Sequence, residues 1–199
     1  MKFLGIALLL IPVSVSEFVP ERLIFEPVVR ERHVKPDFDN LIKAAVDKHL
    51  PGYDWRLFKS QLWNESKLIP TAVSPVGAQG IAQFMPATWA EWAPKAGYPD
   101  KPPTDPEASI MTGAMYMAYL IGKWKAERPE ADRHCLAMAS YNVGFGNMLK
   151  AQKAAGNPHL YADIIQALPK VPGVKSEETI TYVRRIMNDC AKLITGEIT

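Results

Sequence analysis

Glu65 is the residue whose position in this sequence best suits acid–base chemistry. Trp55, Phe58 and Leu62 recur at steps of three and four, which predicts one apolar stripe on a helix. Glu65 follows close to that stripe, at the negative C-terminal end of the same helix. Desolvation and the helix dipole both favour the neutral carboxyl group, so the pattern predicts a raised pKa, as a general acid working near neutral pH requires. The helix alone leaves an alternative open, in which fraying of its end lets Glu65 reach water.

Helical periodicity dominates the chain and predicts the elements that would hold this carboxyl group. A first helix is expected from Asp37 until Pro51-Gly52 stops it, and Asp54 is a candidate cap for the helix that carries Glu65. Capping residues and first-turn prolines predict three further helix starts, at Asp105-Pro106, Pro129-Glu130 and Ser176. The helix that starts at Pro129-Glu130 should stop near residues 142–144. Alternation typical of strands is absent from the sequence, so the expected fold class is all-α.

Four blocks of the sequence resemble the lytic transglycosylase family, the SLT-domain, goose-type-lysozyme-like branch of the lysozyme superfamily. Residues 65–88 contain a Glu-Ser pair, an Ala-x-Ser-Pro-x-Gly-Ala run, a Gly-x-x-Gln element and a Met-Pro-x-Thr helix start. The other blocks are residues 113–116, an Ala-x-Tyr-Asn-x-Gly motif at 139–144 and a Glu-Thr-x-x-Tyr-Val motif at 178–183. Each block is weak alone, but together and in family order they are specific. The resemblance implies a mainly helical lysozyme-like domain with a substrate groove.

The resemblance also implies roles for individual residues, with Glu65 as the single catalytic acid/base. The residues expected to bind substrate offer uncharged hydrogen-bonding groups, flat ring faces or a permissive backbone. They are Ser74, Gly80, Gln83, Met85, Tyr116, Tyr141, Asn142 and Tyr182. Two positions depart from the family pattern. Ala82 stands where Met is usual, which predicts a lower groove wall there, and Ser109 stands where Asn is frequent.

Several of these residues also have a purely structural interpretation. Ser74-Pro75 fits a simple turn, and residues 142–144 fit a helix C-cap. Tyr116 is better interpreted as a core residue with a bonded hydroxyl group. Trp89 and Trp92, at helical spacing, are likewise interpreted as core residues rather than sugar platforms.

The implied reaction is cleavage of the β-1,4 bond between N-acetylmuramic acid and N-acetylglucosamine in peptidoglycan. Glu65 would protonate the glycosidic oxygen and then accept the proton of the muramoyl C6 hydroxyl as that group attacks C1, which gives a 1,6-anhydro sugar. No acidic residue follows Glu65 before Glu91, which fits a single carboxylate, although Asp54 or Glu178 could fold back. A hydrolytic goose-type lysozyme is the alternative on the same fold. A non-catalytic glycan-binding wall protein is disfavoured because the motif residues are retained.

The first 16 residues have the pattern of an export signal. Lys2 precedes an apolar stretch at residues 3–15, shorter than the about 20 residues of a membrane-spanning helix, and small residues precede Glu17. A buried N-terminal segment of a cytosolic protein is the alternative, and an uncleaved, membrane-tethered form is a variant. The predicted organisation is a signal or membrane anchor at 1–16, a proline-containing linker at 17–36 and a catalytic domain at 37–199.

Composition limits the remaining classes. The 199 residues are 48% apolar and 22% charged with a formal charge of +2, which excludes disorder and gives no reason to expect nucleic-acid binding. No metal or other cofactor is expected, because the four histidines are scattered and no CxxC or HExxH occurs. Cys135 and Cys190 are expected to form a disulfide worth on the order of 4 kcal/mol, with two buried thiols as the alternative.

The expected partner is the peptidoglycan glycan strand, with transient membrane association through the N-terminal segment. We expect a monomer located in the periplasm or cell envelope. A compact domain behind an export-like segment fits either a small periplasmic enzyme or a phage endolysin.

Overall fold

The computed structural model describes residues 37–197 of the chain. Residues Pro36–Thr199 form one compact unit. The predicted signal or anchor at 1–16 and the predicted linker at 17–36 lie outside the described residues. Within the described range, no helix has both the length and the apolar character needed to cross a bilayer.

Helices account for the regular structure between residues 37 and 197. In chain order they are α1 (Asp39–His49), α2 (Trp55–Ser66), α3 (Pro86–Ala96), α4 (Pro106–Lys123), α5 (Glu130–Val143), α6 (Phe145–Ala154), α7 (Tyr161–Gln166), a 3₁₀-helix (Leu168–Lys170) and α8 (Ser176–Thr195). Two isolated bridges, Val73 with Gln79 and Gln79 with Phe84, are the only β-type pairing in this part of the chain. The predicted all-α fold class is confirmed.

The predicted helix starts are found where the capping residues stand. The Asp54 carboxylate accepts a hydrogen bond of 2.9 Å from the Arg56 backbone N–H at the start of α2. Asp105 accepts one of 3.0 Å from the Ala108 N–H, and Pro106 is the first residue of α4. These side chains bond amide groups that have no partner inside the helix, so the starts depend on local chemistry alone.

Two helices were not among the sequence predictions, namely α6 and α7. Gly144 both ends α5 and begins α6, and its φ of +88° turns the chain between them. The predicted stop of α5 near residues 142–144 is confirmed, but the sequence did not predict that another helix follows directly. The missed α7 has only six residues.

The core forms where α2 packs on α8 and α1 packs on α4. Fully buried side chains of α2 and α4 lie at its centre, among them Phe58, Leu62, Ile110 and Met117. The prediction that Trp89 and Trp92 are core residues is confirmed, because both are buried on α3.

The predicted disulfide is corrected by the structure, in which Cys135 of α5 and Cys190 of α8 are free thiols. Both thiols act electrostatically on the buried Tyr53 hydroxyl group and contribute to raising its pKa, after the larger effect of burial. Burial also raises the pKa of Cys135 to about 11, so its thiol stays protonated and unreactive at neutral pH. Helix packing therefore brings both cysteines near one tyrosine without joining them.

Candidate active site

The end of α2 positions Glu65. Lys67 adopts a left-handed conformation with φ of 57°, and its N–H donates to the Trp63 carbonyl oxygen at 2.9 Å, so that the helix ends at Ser66. The Ser66 hydroxyl donates to the Ile81 carbonyl oxygen at 2.8 Å. This bond ties the last turn of α2 to the loop that precedes α3, so the carboxyl group of Glu65 is held on fixed backbone.

The Glu65 carboxyl group lies in a densely packed setting, although part of its surface remains open to solvent. Burial disfavours the charged form and raises the pKa of Glu65 to about 7, while a hydrogen bond from Tyr182 acts in the opposite direction. In that bond the Tyr182 hydroxyl donates to Glu65 Oε1. The carboxyl group is therefore partly protonated near neutral pH and can both donate and accept a proton.

A second acidic group is not found beside Glu65 among residues 37–197. The influences on its pKa are burial and the Tyr182 bond, with no neighbouring carboxylate among them. Asp54 caps the opposite end of α2, roughly 16 Å away along the helix, and pairs with Arg56 at 2.8 Å. Glu178 is exposed at the start of α8. In the same described range, no three His, Cys, Asp or Glu residues cluster as metal ligands would.

Two tyrosines from distant helices converge on the acid. Tyr182 comes from α8, and its side chain is buried. Tyr141 comes from the last turn of α5 and donates its hydroxyl to the Ala82 carbonyl oxygen at 2.7 Å. Burial, and after it the charge of Glu65, raise the pKa of both tyrosines well above the ordinary value. Both hydroxyl groups therefore remain protonated hydrogen-bond donors at any physiological pH.

The loop between α2 and α3 carries four of the predicted substrate-binding residues, Ser74, Gly80, Gln83 and Met85, and its own hydrogen bonds hold it in shape. The Ser74 hydroxyl oxygen accepts a bond of 2.9 Å from the Ala78 N–H. The Gln83 side-chain amide donates to the Gly80 carbonyl oxygen at 2.9 Å and to the Ala72 carbonyl oxygen at 3.3 Å. Ser74 therefore lies in a turn, as its structural interpretation predicted, and Gln83 stabilises the same loop.

Gly80 is required by a close approach of two backbone segments. Its φ is +78°, and a Cβ atom added there would lie 1.8 Å from the Pro103 carbonyl oxygen. Just after it, the Ala82 N–H donates to the buried Ser109 hydroxyl at 3.1 Å. The loop thus rests on the start of α4, which fixes the peptide whose carbonyl group accepts from Tyr141.

Asn142 lies on the exposed end of α5, next to α8. Its Oδ1 accepts a hydrogen bond of 2.7 Å from the buried Thr179 hydroxyl, so the amide plane is held in one orientation. An open pocket of about 270 Å³ adjoins it. Its lining residues include Asn142, Asn147, Lys175 and Glu178. Since Thr179 is three residues before Tyr182 on the same helix, this pocket is a neighbour of the acid.

Tyr116 and Met85 are placed further from the acid. Tyr116 on α4 is partly buried and contacts the rings of Trp92 at 5.0 Å and Tyr141 at 5.3 Å between centroids, so its interpretation as a core residue fits its surroundings. Met85 is 43% exposed at the start of α3. The side chain of Ala82, expected to lower a groove wall, is instead fully buried facing α4.

Three residues near the acid were not among the predicted site residues. Ser66 belongs to the Glu-Ser pair and Thr179 to the Glu-Thr-x-x-Tyr-Val motif, but neither motif predicted a role in the site for them. Gln61, fully buried on α2, was not considered. A signal was available for Gln61, because a polar residue at the position four before Glu65 shares the face of the helix that carries the acid.

Comparisons with known proteins agree with this geometry. Residues 41–164 match the family model described as Transglycosylase SLT domain. Similar curated proteins include membrane-bound lytic murein transglycosylase F of Alteromonas mediterranea, 34% identical over 144 residues, which are 70% of this chain and 30% of that protein. The protein of the same name from Yersinia enterocolitica is 34% identical over 154 residues, 75% of this chain and 30% of that protein. The chain thus spans about 30% of the length of these relatives.

Solved structures share the fold. The 70 kDa soluble lytic transglycosylase of Escherichia coli superposes with a TM-score of 0.62 at 23% identity, over 80% of this chain and 24% of that one. An inactive mutant of lytic transglycosylase Slt from Pseudomonas aeruginosa gives a TM-score of 0.61 at 24% identity, over 76% of this chain and 23% of that one. Because the family model covers more than half of the sequence, the chain belongs to the transglycosylase SLT domain family.

Proposed function

We propose that this protein is a peptidoglycan lytic transglycosylase. It cleaves the β-1,4 bond between N-acetylmuramic acid and N-acetylglucosamine and leaves a 1,6-anhydromuramoyl end. The observation that carries the proposal is the Glu65 carboxyl group, whose pKa burial raises to about 7 and which accepts a hydrogen bond from Tyr182. Membership of the SLT domain family supports it further.

In the first step the protonated Glu65 donates its proton to the glycosidic oxygen. The bond between that oxygen and C1 of the muramoyl residue breaks, and positive charge develops at C1 and the ring oxygen. The Tyr182 hydroxyl stabilises the carboxylate that is formed, because a donor to the charged form favours ionisation.

In the second step the muramoyl C6 hydroxyl attacks C1, and the ionised Glu65 accepts the hydroxyl proton. A new bond between the C6 oxygen and C1 closes the anhydro ring, and Glu65 returns to its protonated state. One carboxyl group serves both transfers, which agrees with the lack of a second carboxylate influence on Glu65 within residues 37–197. The pKa near 7 suits a group that must act first as acid and then as base.

The residues around the acid are proposed to hold the glycan strand. The Asn142 side-chain amide, held by Thr179 at the exposed end of α5, would bond sugar hydroxyl or acetamido groups. The loop that contains Ser74, Gly80 and Gln83 is bonded through Ile81 to Ser66, the residue after Glu65, and we propose that its backbone groups contact the strand. We propose Met85, Tyr116, Tyr141 and Tyr182 as the remaining contributors to substrate binding.

The protein is proposed to act in the cell envelope as a monomer. The export-like pattern of residues 1–16 supports this location, with cleavage or membrane retention of that segment and a linker at residues 17–36 before the catalytic domain. The similar curated proteins are named as membrane-bound, which agrees with an envelope location.

Mass spectrometry of the products tests the reaction. Purified peptidoglycan is digested with the wild-type protein and with Glu65→Gln, and the released muropeptides are weighed. The proposal expects anhydro ends, lighter by one water than reducing ends, with wild type alone. Reducing ends as the main product would establish the hydrolytic goose-type alternative, and the same products from a folded Glu65→Gln protein would remove Glu65 from its role.

A further inference from the structure

Gln61 lies one helical turn before Glu65 on α2, and its side chain is fully buried. Residues four apart share one face of a helix, so the Gln61 amide is on the side of the acid. Within the described part of the chain, neither its Nε2 nor its Oε1 completes a well-aligned hydrogen bond. A buried amide in this state costs free energy that an apolar side chain of the same size would not, so packing alone does not account for it.

The polar neighbour of this amide is the Tyr182 hydroxyl group. Burial and the charge of Glu65 raise the pKa of Tyr182, whereas hydrogen bonding by Gln61 lowers it. The Tyr182 hydroxyl already donates its proton to Glu65 Oε1, so its oxygen has only acceptor sites left. A contact with the Gln61 amide is therefore one from the Gln61 N–H to the Tyr182 oxygen.

We propose that Gln61 is a positioning residue for the acid/base reaction, in which its Nε2 donates to the Tyr182 hydroxyl oxygen and thereby directs the hydroxyl proton to Glu65. The inference rests on the proposed function of Glu65. A tyrosine hydroxyl carries one proton. When its oxygen accepts a hydrogen bond from an amide N–H, that proton points away from the amide. The three groups form a chain in which each hydrogen bond polarises the next.

This chain of hydrogen bonds acts on Glu65 at the stage of the reaction when its carboxyl group is ionised. Burial alone would keep the acid protonated but would make it a weaker proton donor, because the carboxylate that it leaves behind is disfavoured. A Tyr182 hydroxyl aligned by Gln61 opposes burial and stabilises the carboxylate. Gln61 thus adjusts the balance between the neutral and ionised forms of Glu65, which allows this one group to serve as acid and as base.

Two apolar variants, Gln61→Met and Gln61→Leu, test this role in the full chain. The direct measurement is an NMR titration of Glu65 with carboxyl-labelled glutamate, the Glu65→Gln variant identifying its signal. We expect the Glu65 midpoint to rise by about 0.5 pH units, because the aligned donor to the carboxylate is weakened. The alkaline limb of the pH profile of peptidoglycan clearing should move to higher pH by the same amount. The melting temperature should equal or exceed that of wild type.

Ser60→Ala is the matched control. Ser60 is buried on the same helix, next to Gln61 in sequence, but its hydroxyl donates to the Arg56 carbonyl oxygen at 2.8 Å inside α2. Its removal should leave the Glu65 titration where it is in wild type. A shift as large as that of the Gln61 variants would mean that any loosening of α2 moves the acid, which would overturn the proposal.

A double variant identifies the route of the effect. Tyr182→Phe removes the hydroxyl through which Gln61 is proposed to act, so adding Gln61→Met should shift the Glu65 midpoint no further than Tyr182→Phe alone. Additive shifts would show an independent effect and overturn the proposal. An unchanged Glu65 midpoint in both Gln61→Met and Gln61→Leu would also overturn the proposal, as would failure of both of these variants to fold. Because the titration needs no turnover, a wild type that clears no peptidoglycan would contradict the proposed function separately.

Discussion

At Glu65, burial and a hydrogen bond act on one carboxyl group in opposite directions. Burial raises its pKa from 4.5 to about 7, and the Tyr182 hydroxyl limits the rise. A group with a higher pKa in the folded chain than in the unfolded chain binds more protons when folded. Its contribution to stability is complete below pH 4.5 and is lost as the pH rises through about 7. The feature that suits catalysis therefore weakens the fold at and above neutral pH.

The first expectation at the residue scale concerns Glu65→Gln. Glutamine is nearly isosteric but cannot donate the proton, so turnover should fall by about 10² to 10⁴ or more. The variant should also gain stability at pH 8, on the order of 1–3 kcal/mol, and little at pH 4, because the ionised carboxylate is what burial disfavours. Turbidity clearing of peptidoglycan and thermal unfolding at the two pH values are the measurements. Substantial clearing by the folded variant would rule out a single-carboxylate mechanism.

The second expectation concerns pH dependence and Tyr182. Activity of wild type, as kcat/KM, should decline as the pH rises through about 7, because the free enzyme must hold a protonated Glu65. Tyr182→Phe removes a donor to the carboxylate, so the pKa of Glu65 rises and the declining limb moves to higher pH, while the maximal rate falls. The measurement is the clearing rate from pH 4 to pH 9 at constant ionic strength. A limb that moves down or not at all would contradict the assigned hydrogen bond.

At the scale of elements, the loop between α2 and α3 connects several helices to the segment that holds Glu65. The Ser66 hydroxyl bonds the loop to α2, and the Ser109 hydroxyl bonds it to α4. Tyr141 of α5 bonds the carbonyl group of Ala82 in the same loop. Three helices therefore bond to a few backbone groups of this loop, and a disturbance of the loop should affect both stability and catalysis.

Gly80→Ala is the test of this loop. The new Cβ atom would lie 1.8 Å from the Pro103 carbonyl oxygen, a backbone atom that cannot rotate aside, so we expect a loss of about 2–4 kcal/mol and reduced activity. Gly77→Ala is the matched control, since its φ of +89° is equally positive but no atom lies within 4 Å. It should cost only about 1–2 kcal/mol, for the backbone conformation. Equal losses of unfolding free energy in the two variants would contradict the close approach.

At the scale of the whole molecule, the core of residues 36–199 is one compact unit. Its central helix pairs, α2 with α8 and α1 with α4, lie within that unit. We therefore expect a protein that begins at Asp37 to fold and to cleave peptidoglycan at a rate comparable to the full chain. Circular dichroism, thermal unfolding and the clearing assay are the measurements. A truncated protein that is unfolded or inactive would mean that residues 1–36 are part of the catalytic unit.

Much of the helical framework could be predicted because its signals are local. Asp54 and Asp105 cap helices by bonding amides two or three residues away, and the position of Glu65 at the end of an apolar stripe is visible within three helical turns. The expected rise in its pKa is confirmed, since burial of a carboxyl group follows from that stripe. Two helices, α6 and α7, escaped prediction because α6 starts at the residue where α5 stops and α7 is short.

The sequence by itself thus determined the capped helix starts and the all-α class, each from residues within a turn or two of one another. Only the tertiary structure decided which groups meet across the fold. Tyr182 is 117 residues from Glu65, and its hydrogen bond exists because α8 packs on α2. The packing of α5 against α8 leaves Cys135 and Cys190 unpaired, where an even cysteine count behind an export-like segment predicted a bridge. Distances between side chains on different helices depend on how whole helices pack, and local sequence patterns do not encode that arrangement.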